Sequence, residues 1–359
     1  MKKAVAMLMA LCLLLSGCSS WMNGSYSAVT PHTEPANQKE KPVINVSDGV
    51  QLKKALITLV DSSADNGVIY LDGYQGESLA DDLKAIVEDV CKNHPFAVYA
   101  VEKITYEIGA LSGKNAISVH IAYLQNRQYK DKIRRVESQE QIEELILQRL
   151  EACETGVVLI SDGQEAVDFN QLVADCALEN PQLVMETPVV TVNYYPEEGK
   201  EQIIEVKFTY RSNREELRTL QNKVAPIFQS AAQHVTGAWA EEEKAARLYT
   251  FLMDRFEYEI GTSTTPAYSL LLHGVGDHQA FATVYAAMCQ QSGVDCRVVT
   301  GTRKGEPWVW NVLCIDGFYY YIDLLKCKES GGFKMYSQEK MTNYTWDASA
   351  YQSSSGEIS

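Results

Sequence analysis

The middle of this chain repeats itself, and its best-matched segments are 87 residues apart. Residues 117–127 read ISVHIAYLQNR and residues 204–214 read IEVKFTYRSNR, with Ile, Val, Tyr, Asn and Arg at matching positions. In both copies apolar residues occupy every second position, which is the period of a half-buried β-strand. Upstream, residues 67–71 (GVIYL) match residues 156–160 (GVVLI). The match therefore extends over a whole supersecondary unit.

Each copy predicts a helix, a strand, a second helix and a two-stranded hairpin, over 46–127 and 136–214. Self-similarity of this length indicates a duplicated α/β module of α-β-α-β-β type. The two copies are expected to pack as one pseudo-symmetric domain or as two small ones. Neither copy contains a glycine-rich phosphate loop or a nucleophile motif, so we interpret the repeats as a spacer or a binding module.

The first 17 residues have the pattern of an export signal. Lys2 and Lys3 precede an apolar run from Ala4 to Leu15, too short to span a bilayer but typical of a signal-peptide core. The run ends in Leu15-Ser-Gly-Cys18, which resembles the bacterial lipobox. This resemblance implies that Cys18 is lipidated and becomes the new N-terminus. A plain secretory signal with a chance cysteine is the alternative.

Residues 18–45 are rich in Ser, Asn, Pro and Lys and predict a flexible tether. Together with a lipidated Cys18, the tether predicts a protein anchored in the lipid bilayer at the extracytoplasmic face of the cell membrane.

Composition excludes several classes of function. The chain has 32 Lys and Arg against 47 Asp and Glu, a formal charge of -15, which argues against nucleic acid as a partner. Apart from Cys12 and Cys18, seven cysteines remain, with no CxxC pair. This pattern favours buried free thiols over a disulfide framework or a zinc site, and it is also compatible with a single disulfide.

Residues 215–350 carry the signals that bear on chemistry. Two helices are predicted between Asn213 and Tyr258, and a third follows His278. Residues 293–301 predict a strand, and residues 308–323 predict a hairpin whose turn lies at Asp316-Gly317.

In this order the motifs resemble the transglutaminase-like superfamily, which has a papain-like cysteine-enzyme fold. The matching positions are Gly276, Phe281-Ala282, Gly293-Val294, Arg297, Val299, Gly301, Trp310-Asn311, Asp316-Gly317, Tyr319-Tyr320, Asp323 and the closing Tyr344-Thr-Trp-Asp347. The resemblance implies an α+β chain, with helices packed on an antiparallel sheet over 215–350 and a tail over 351–359.

The departures from the family pattern decide the expected function. His278 occupies the position of the family's nucleophilic cysteine, and Trp308 occupies that of its catalytic histidine, whereas the carboxylate at Asp323 is kept. Acyl transfer needs all three roles, namely a thiolate, an imidazole base and an orienting acid. We expect His278 to be neutral, because the positive end of a helix disfavours imidazolium.

The sequence therefore predicts a pseudoenzyme rather than an enzyme: a binding or scaffold module for a peptide, a protein or peptidoglycan. Aromatic residues suit such a cleft, because they offer a large rigid area at low entropic cost. The candidates for lining it are Trp308, Trp310, Tyr319, Tyr320 and Asp323. No cofactor and no metal are expected.

Alternatives remain open at this point. One is an active acyltransferase or hydrolase that uses His278 and Asp323, directly or through a metal held with His273 and Asp277. Cys289 lies eleven residues beyond His278, about 16 Å along a helix, and is too far away to replace the nucleophile. Cys296 and Cys314 lie in apolar strands, where burial makes a thiol inert. A solute-binding lipoprotein of a transporter is a further, weaker reading.

Overall fold

The computed structural model describes residues 44–125, 127, 130–162, 167–235, 237, 239–260 and 267–351. The predicted signal peptide, Cys18, the tether up to residue 43 and the tail after Tyr351 lie outside the described residues. None of the helices in the described part has the length and apolar character needed to cross a bilayer.

The first module is a four-stranded sheet with helices on one face. Its elements are β1 (Ile44–Val46), α1 (Gly49–Asp61), β2 (Asn66–Leu71), α2 (Leu79–Asn93), α3 (Pro95–Ala100), β3 (Val101–Leu111) and β4 (Lys114–Tyr123). The strand order is β1-β2-β4-β3, in which β1 and β2 are parallel and the other pairs are antiparallel. On β4 the alternation places Ile117, Val119 and Ile121 in the core while Ser118 and His120 face solvent.

The second module has the same topology. Its elements are β5 (Arg134–Val136), α4 (Gln139–Glu151), β6 (Gly156–Ser161), α5 (Phe169–Glu179), β7 (Val189–Tyr195) and β8 (Gln202–Thr209). The strand order is β5-β6-β8-β7, again with a parallel first pair followed by antiparallel pairs. A duplication would produce two modules of the same topology, as observed. The duplication itself stays a prediction.

The structure corrects the predicted α-β-α-β-β order. Each module begins with a further strand, β1 or β5, of three residues, which is too short for a hydrophobic period to show. A second difference lies at Pro95, where the first module starts the extra helix α3. Proline is favoured at a first helical position, because its missing N–H would have no partner there.

The two modules pack against each other. Ile160 on β6 and Ile203 on β8 belong to the hydrophobic core of the first module. Arg127 crosses the same boundary: its guanidinium lies between the rings of Tyr99 and Tyr195, at 4.9 and 5.1 Å from their centres.

In the C-terminal part, helices pack on an antiparallel sheet. Its helices are α6 (Arg214–Gln233), α7 (Glu241–Arg255), α8 (Tyr268–His273), α9 (His278–Gln291) and α10 (Leu324–Glu329). Its strands are β9 (Glu257–Tyr258), β10 (Val275–Gly276), β11 (Asp295–Arg303), β12 (Glu306–Ile315), β13 (Phe318–Ile322) and β14 (Tyr344–Thr345). Short 3₁₀ turns cover Lys130–Lys132, Gln338–Lys340 and Ala348–Tyr351.

Four of these strands form an antiparallel sheet in the order β13-β12-β11-β14, while β9 and β10 pair separately and in parallel. Helix α9 is the centre of the domain, with every residue from Ala280 to Cys289 buried. The predicted α+β class, with helices packed on an antiparallel sheet, is confirmed. The seven cysteines from Cys91 to Cys327 are all free thiols.

Candidate functional site

The N-terminus of α9 provides the first group of the site. Asp277 caps this helix by accepting the backbone N–H of Ala280 at 2.9 Å. The cap makes His278 the first helical residue, at the end of the helix that carries a partial positive charge. An imidazole therefore stands where the family resemblance places the nucleophilic thiol.

The His278 ring is held by β12. Its Nδ1 accepts the backbone N–H of Val309 at 3.2 Å, and the ring stacks on the Trp308 indole with centroids 4.0 Å apart and planes inclined by 25°. Burial lowers the pKa of His278 below its ordinary value of 6.5, against the opposing charges of Asp277 and Asp323. An acceptor at Nδ1 places the proton of the neutral ring on Nε2. Burial is the main cause of this shift, and the positive end of the helix acts in the same direction.

Trp308, on β12, contacts Asp323. Its indole Nε1–H donates to Oδ2 of Asp323 at 2.9 Å. An orienting carboxylate makes the same kind of contact with a ring N–H of a catalytic histidine. Indole nitrogen, however, only donates hydrogen bonds. Trp308 therefore bonds the carboxylate but cannot act as a base.

Asp323 is 2% exposed, and both of its carboxylate oxygens are occupied. Oδ1 accepts the backbone N–H groups of Leu325 and Lys326, each at 3.1 Å, and thereby caps α10. Oδ2 accepts the Trp308 indole N–H and further donors from two other strands. This carboxylate anchors the site and the first turn of α10 at once.

Arg303 and Tyr344 complete the site, and the sequence analysis named neither as a site residue. The Tyr344 hydroxyl donates to Oδ2 of Asp323 at 2.7 Å, and Nη1 of Arg303 lies 3.3 Å from the same oxygen. The Arg303 guanidinium also lies 5.1 Å from the centre of the Trp308 ring. Burial and the Asp323 carboxylate together raise the pKa of Tyr344. These residues meet because β14 pairs with β11, a long-range contact with no local sequence signal.

The other cleft candidates do not line a cleft together with Trp308. Trp310 is 1% exposed and is enclosed in a cluster that includes the site residue Tyr344, with their ring centroids 5.1 Å apart. Tyr319 pairs with Cys314, six residues beyond Trp308 on β12, a distance of about 20 Å along a strand. Tyr320 is its neighbour on β13. Of the five predicted cleft residues, Trp308 and Asp323 lie in contact, Trp310 is enclosed, and β13 carries Tyr319 and Tyr320 towards the far end of the hairpin. A cleft at Trp308 stays a prediction.

The thiols offer no replacement nucleophile in the described part of the chain. Burial raises the pKa of Cys296 well above its usual value and that of Cys327 to about 11. Cys289 is fully buried within α9. Cys314 is only half-buried, which corrects the expectation that both strand cysteines are enclosed.

The residues considered as metal ligands serve other contacts. His273 packs against the ring of Tyr268 with centroids 5.9 Å apart, and Asp277 caps α9. Within the described ranges, no three His, Cys, Asp or Glu side chains gather in a metal-binding arrangement.

The family model of the transglutaminase-like superfamily matches residues 229–348. These residues form a transglutaminase-like domain. His278, Trp308 and Asp323 all lie inside it.

Three solved structures show weak similarity to the chain. A TGase has 10% identity and a TM-score of 0.28, with 65% of this chain and 66% of that chain covered. A proposed cysteine protease from Cytophaga hutchinsonii has 12% identity and a TM-score of 0.25, with 42% and 66% covered. A proposed protease from Parabacteroides distasonis has 10% identity and a TM-score of 0.24, with 72% and 39% covered.

The chain thus spans less than two thirds of each of these structures. No curated protein matches it in sequence.

Proposed function

We propose that this chain is a lipid-anchored protein of the extracytoplasmic membrane face whose transglutaminase-like domain binds a peptide ligand without acyl transfer. The observation that carries the proposal is the 2.9 Å hydrogen bond from Trp308 Nε1 to Asp323 Oδ2. In a catalytic triad, a histidine base would make this contact with the carboxylate. The indole of Trp308 makes it here, and an indole accepts no proton.

The remaining chemistry of the site points the same way. Acyl transfer through a covalent intermediate needs an activated nucleophile beside a base. His278 presents a neutral imidazole whose Nδ1 is already bonded to the backbone of Val309. The Asp323 carboxylate is enclosed and is bonded to Trp308, Tyr344 and Arg303 instead of to His278.

A peptide suits the surface that these residues leave. Trp308 is half-buried, with His278 stacked on its ring, and the rest of the indole offers a rigid apolar surface. The Arg303 guanidinium beside it is paired with Asp323 and Glu329, and its remaining N–H donors suit peptide carbonyl groups. Cell-wall peptides are the source we favour, because the proposed lipid anchor at Cys18 holds the domain at the membrane surface.

Restoring the family residues tests whether only the chemistry was lost. The full chain and the His278→Cys/Trp308→His variant are each incubated with a glutamine-rich protein and a labelled primary amine, and separately with a pool of cell-wall peptides. Mass spectrometry detects cross-linked or cleaved products. We expect no product from the native chain and product from the double variant.

A third chain carrying Asp323→Asn in addition to the two reversions is the matched control, and it should lose most of the restored turnover. Binding is measured on the native chain and on Trp308→Ala with the same peptide pool. Turnover by the native chain contradicts the proposal, as does peptide binding that Trp308→Ala leaves unchanged.

The anchor is tested independently. Replacing Cys18 with Ser should move the chain from the membrane fraction to the soluble extracytoplasmic fraction and abolish incorporation of labelled palmitate. A chain that stays in the membrane fraction after this substitution contradicts the lipid anchor but leaves the binding proposal standing.

One observation favours a second candidate, a hydrolase with a reassigned site. His278 Nε2 has no hydrogen-bond partner among the described residues, so this nitrogen is free to act on a substrate. The incubation of the native chain with the peptide pool distinguishes the two candidates. A hydrolase would release product from the native chain and none from His278→Asn.

A further inference from the structure

We propose that two copies of this chain pair through strand β3 of the first module. The strand lies at the edge of its four-stranded sheet, in the order β1-β2-β4-β3. Antiparallel pairing of β3 with β3 of the second copy joins the two sheets edge to edge. The contact is isologous, because the same segment is used on both sides.

The outer edge of β3 is open. The strand runs over eleven residues, Val101–Leu111, and eight of them are exposed. In the described part of the chain, β4 is the only strand paired with β3, and no other backbone hydrogen bond reaches the segment from Lys103 to Leu111. An exposed edge of this length presents unpaired N–H and C=O groups that another strand can bind.

The equivalent strand of the second module is shorter and is packed at one end. This strand, β7, has seven residues and ends at Tyr195. The ring of Tyr195 packs against that of Tyr99 in the first module, with centroids 5.3 Å apart. Since the two modules share one topology, the longer open strand of the first module is not a requirement of the fold.

The sequence of β3 is self-complementary in charge about Thr105. When Thr105 pairs with Thr105 of the second copy, Lys103 lies opposite Glu107, and symmetry repeats this pair. Opposite charges that face each other across antiparallel strands stabilise the pair, as do facing threonines. Lys103 and Glu107 are exposed and form no ion pair within the described ranges, so both charges are available to the second copy.

The other face of β3 is complementary in its apolar residues. Ile104 belongs to the core of the first module, and Tyr106 packs against that core. The same register places Ile104 opposite Tyr106 of the second copy, a β-branched residue against an aromatic ring. Ile108, which is 46% exposed, lies diagonally across from Ile104 of the second copy. Pairing therefore covers an exposed isoleucine and extends the core across the contact.

A bulge sets the length of the paired segment. The register of β3 with β4 shifts between Val101 and Lys103, and a bulge disturbs the ladder and bends the strand. The regular part of β3 therefore begins at Lys103. The segment that is symmetric about Thr105 then ends at Glu107, a length of about five residues, which is usual for a strand.

Sedimentation equilibrium of the full chain tests the proposal. The detergent is matched in density to the solvent, and micelles are kept in excess so that lipid anchors do not share them. We expect the mass of two chains at high protein concentration and the mass of one chain on dilution. Lys103→Glu should raise the dimer Kd at least about tenfold, because symmetry introduces two like-charge pairs.

Exchanging the two charges is the decisive variant. Lys103→Glu/Glu107→Lys restores both opposite-charge pairs and should return the Kd to within about threefold of the native value. Lys54→Glu is the matched control, since it reverses the same charge at an exposed position of α1. It should leave the Kd within about twofold of the native value, because it touches no residue of the contact.

A cross-link tests the register while the native charges are kept. With oxidised glutathione, Thr105→Cys should form a disulfide with Thr105→Cys of the second copy, because this residue lies on the symmetry axis. Ser118→Cys, exposed on the neighbouring strand β4, should give no more cross-linked dimer than the native chain does. If circular dichroism shows that a charge variant fails to fold, the cross-link decides.

Three outcomes overturn the proposal. In the first, the native chain keeps the mass of one chain at every concentration, which leaves the edge to another occupant such as residues 18–43 of the same chain. In the second, folded Lys103→Glu and Lys54→Glu associate equally well, or the charge exchange fails to restore the dimer. In the third, Thr105→Cys cross-links no better than Ser118→Cys.

Discussion

Trp308 takes over the contact with Asp323 that a histidine makes, since both rings carry an N–H donor on a flat aromatic frame. Arg303 and Tyr344 then surround the same carboxylate oxygen. At the scale of residues, the proposed loss of acyl transfer therefore rests on an indole that bonds Asp323 but accepts no proton.

The buried Asp323 carboxylate should contribute strongly to stability. In Asp323→Asn, an amide replaces one of two oxygens that together receive Trp308, Tyr344, Arg303 and two backbone N–H groups. Removing one partner of a buried charge pair costs about 3–5 kcal/mol. We expect the free energy of unfolding in urea to fall by about 3 kcal/mol.

Asp316→Asn is the control for this substitution. Asp316 is exposed in the β12–β13 turn with φ at 52°, a conformation that Asn and Asp both tolerate. Its unfolding free energy should change by less than about 0.5 kcal/mol. Equal losses in the two variants would contradict the role assigned to Asp323.

His278 should make the folded state sensitive to acid. Because folding lowers the pKa of His278 below 6.5, the unfolded chain takes up this proton first as the pH falls through 6.5. Protonation therefore favours unfolding in that window, and the loss ends once the pH is below the folded pKa.

His278→Asn removes this titration while its side-chain oxygen can accept the Val309 N–H in place of Nδ1. Between about pH 7.5 and pH 5.5, urea unfolding should show a smaller loss of stability for the variant than for the native chain. Parallel curves for the two chains would exclude His278 as a contributor.

At the scale of elements, β14 connects the site to the sheet, and a glycine permits its approach. A Cβ on Gly301 of β11 would fall on the carbonyl oxygen of Thr345 and lie 2.7 Å from the Trp310 ring. Gly301→Ala should therefore displace β14 and pull Tyr344 away from Asp323. We expect a loss of about 2 kcal/mol in the free energy of unfolding, typical of overpacking.

Gly109→Ala is the matched control, since a Cβ on Gly109 of β3 meets nothing within 4 Å. It should be neutral or slightly stabilising, because glycine weakens a strand interior. Hydrogen exchange at Tyr344 and Thr345 should accelerate in Gly301→Ala and stay unchanged in Gly109→Ala. Unchanged exchange in both variants would contradict the packing argument.

Long periodic segments were predictable from the sequence, and short or long-range features were not. The alternation around Ile117 and Ile204 predicted β4 and β8, because each strand buries one face. The three-residue strands β1 and β5 contain too few positions for a period. In the site, motif order located His278, Trp308 and Asp323, whereas Tyr344 joins them through pairing between the distant strands β14 and β11.

At the scale of the molecule, the second module contributes residues to the cores on both sides of it. Ile160 and Ile203 of the second module pack into the core of the first, and Cys153 and Met185 pack into that of the C-terminal domain. The second module thereby connects the first module to the domain that carries the site.

Arg127 is the residue whose loss should uncouple the two modules. Its guanidinium donates to the carbonyl of Tyr99, the hydroxyl of Tyr195 and the carboxylate of Glu205, each at 3.2 Å. In Arg127→Ala these acceptors lose a charged donor, and hydrogen bonds to charged groups are worth about 1.5–3 kcal/mol. We expect the free energy of unfolding to fall by about 3 kcal/mol, with faster hydrogen exchange in α3 and β7.

Arg135→Ala provides the comparison, since it removes an arginine whose two ion pairs stay within the second module at the surface. Exposed ion pairs contribute at most about 1 kcal/mol each, and exchange in α3 should remain at the native rate. If α3 and β7 exchange no faster in Arg127→Ala than in Arg135→Ala, the contact is local, and the modules are joined by the apolar residues Ile160 and Ile203 alone.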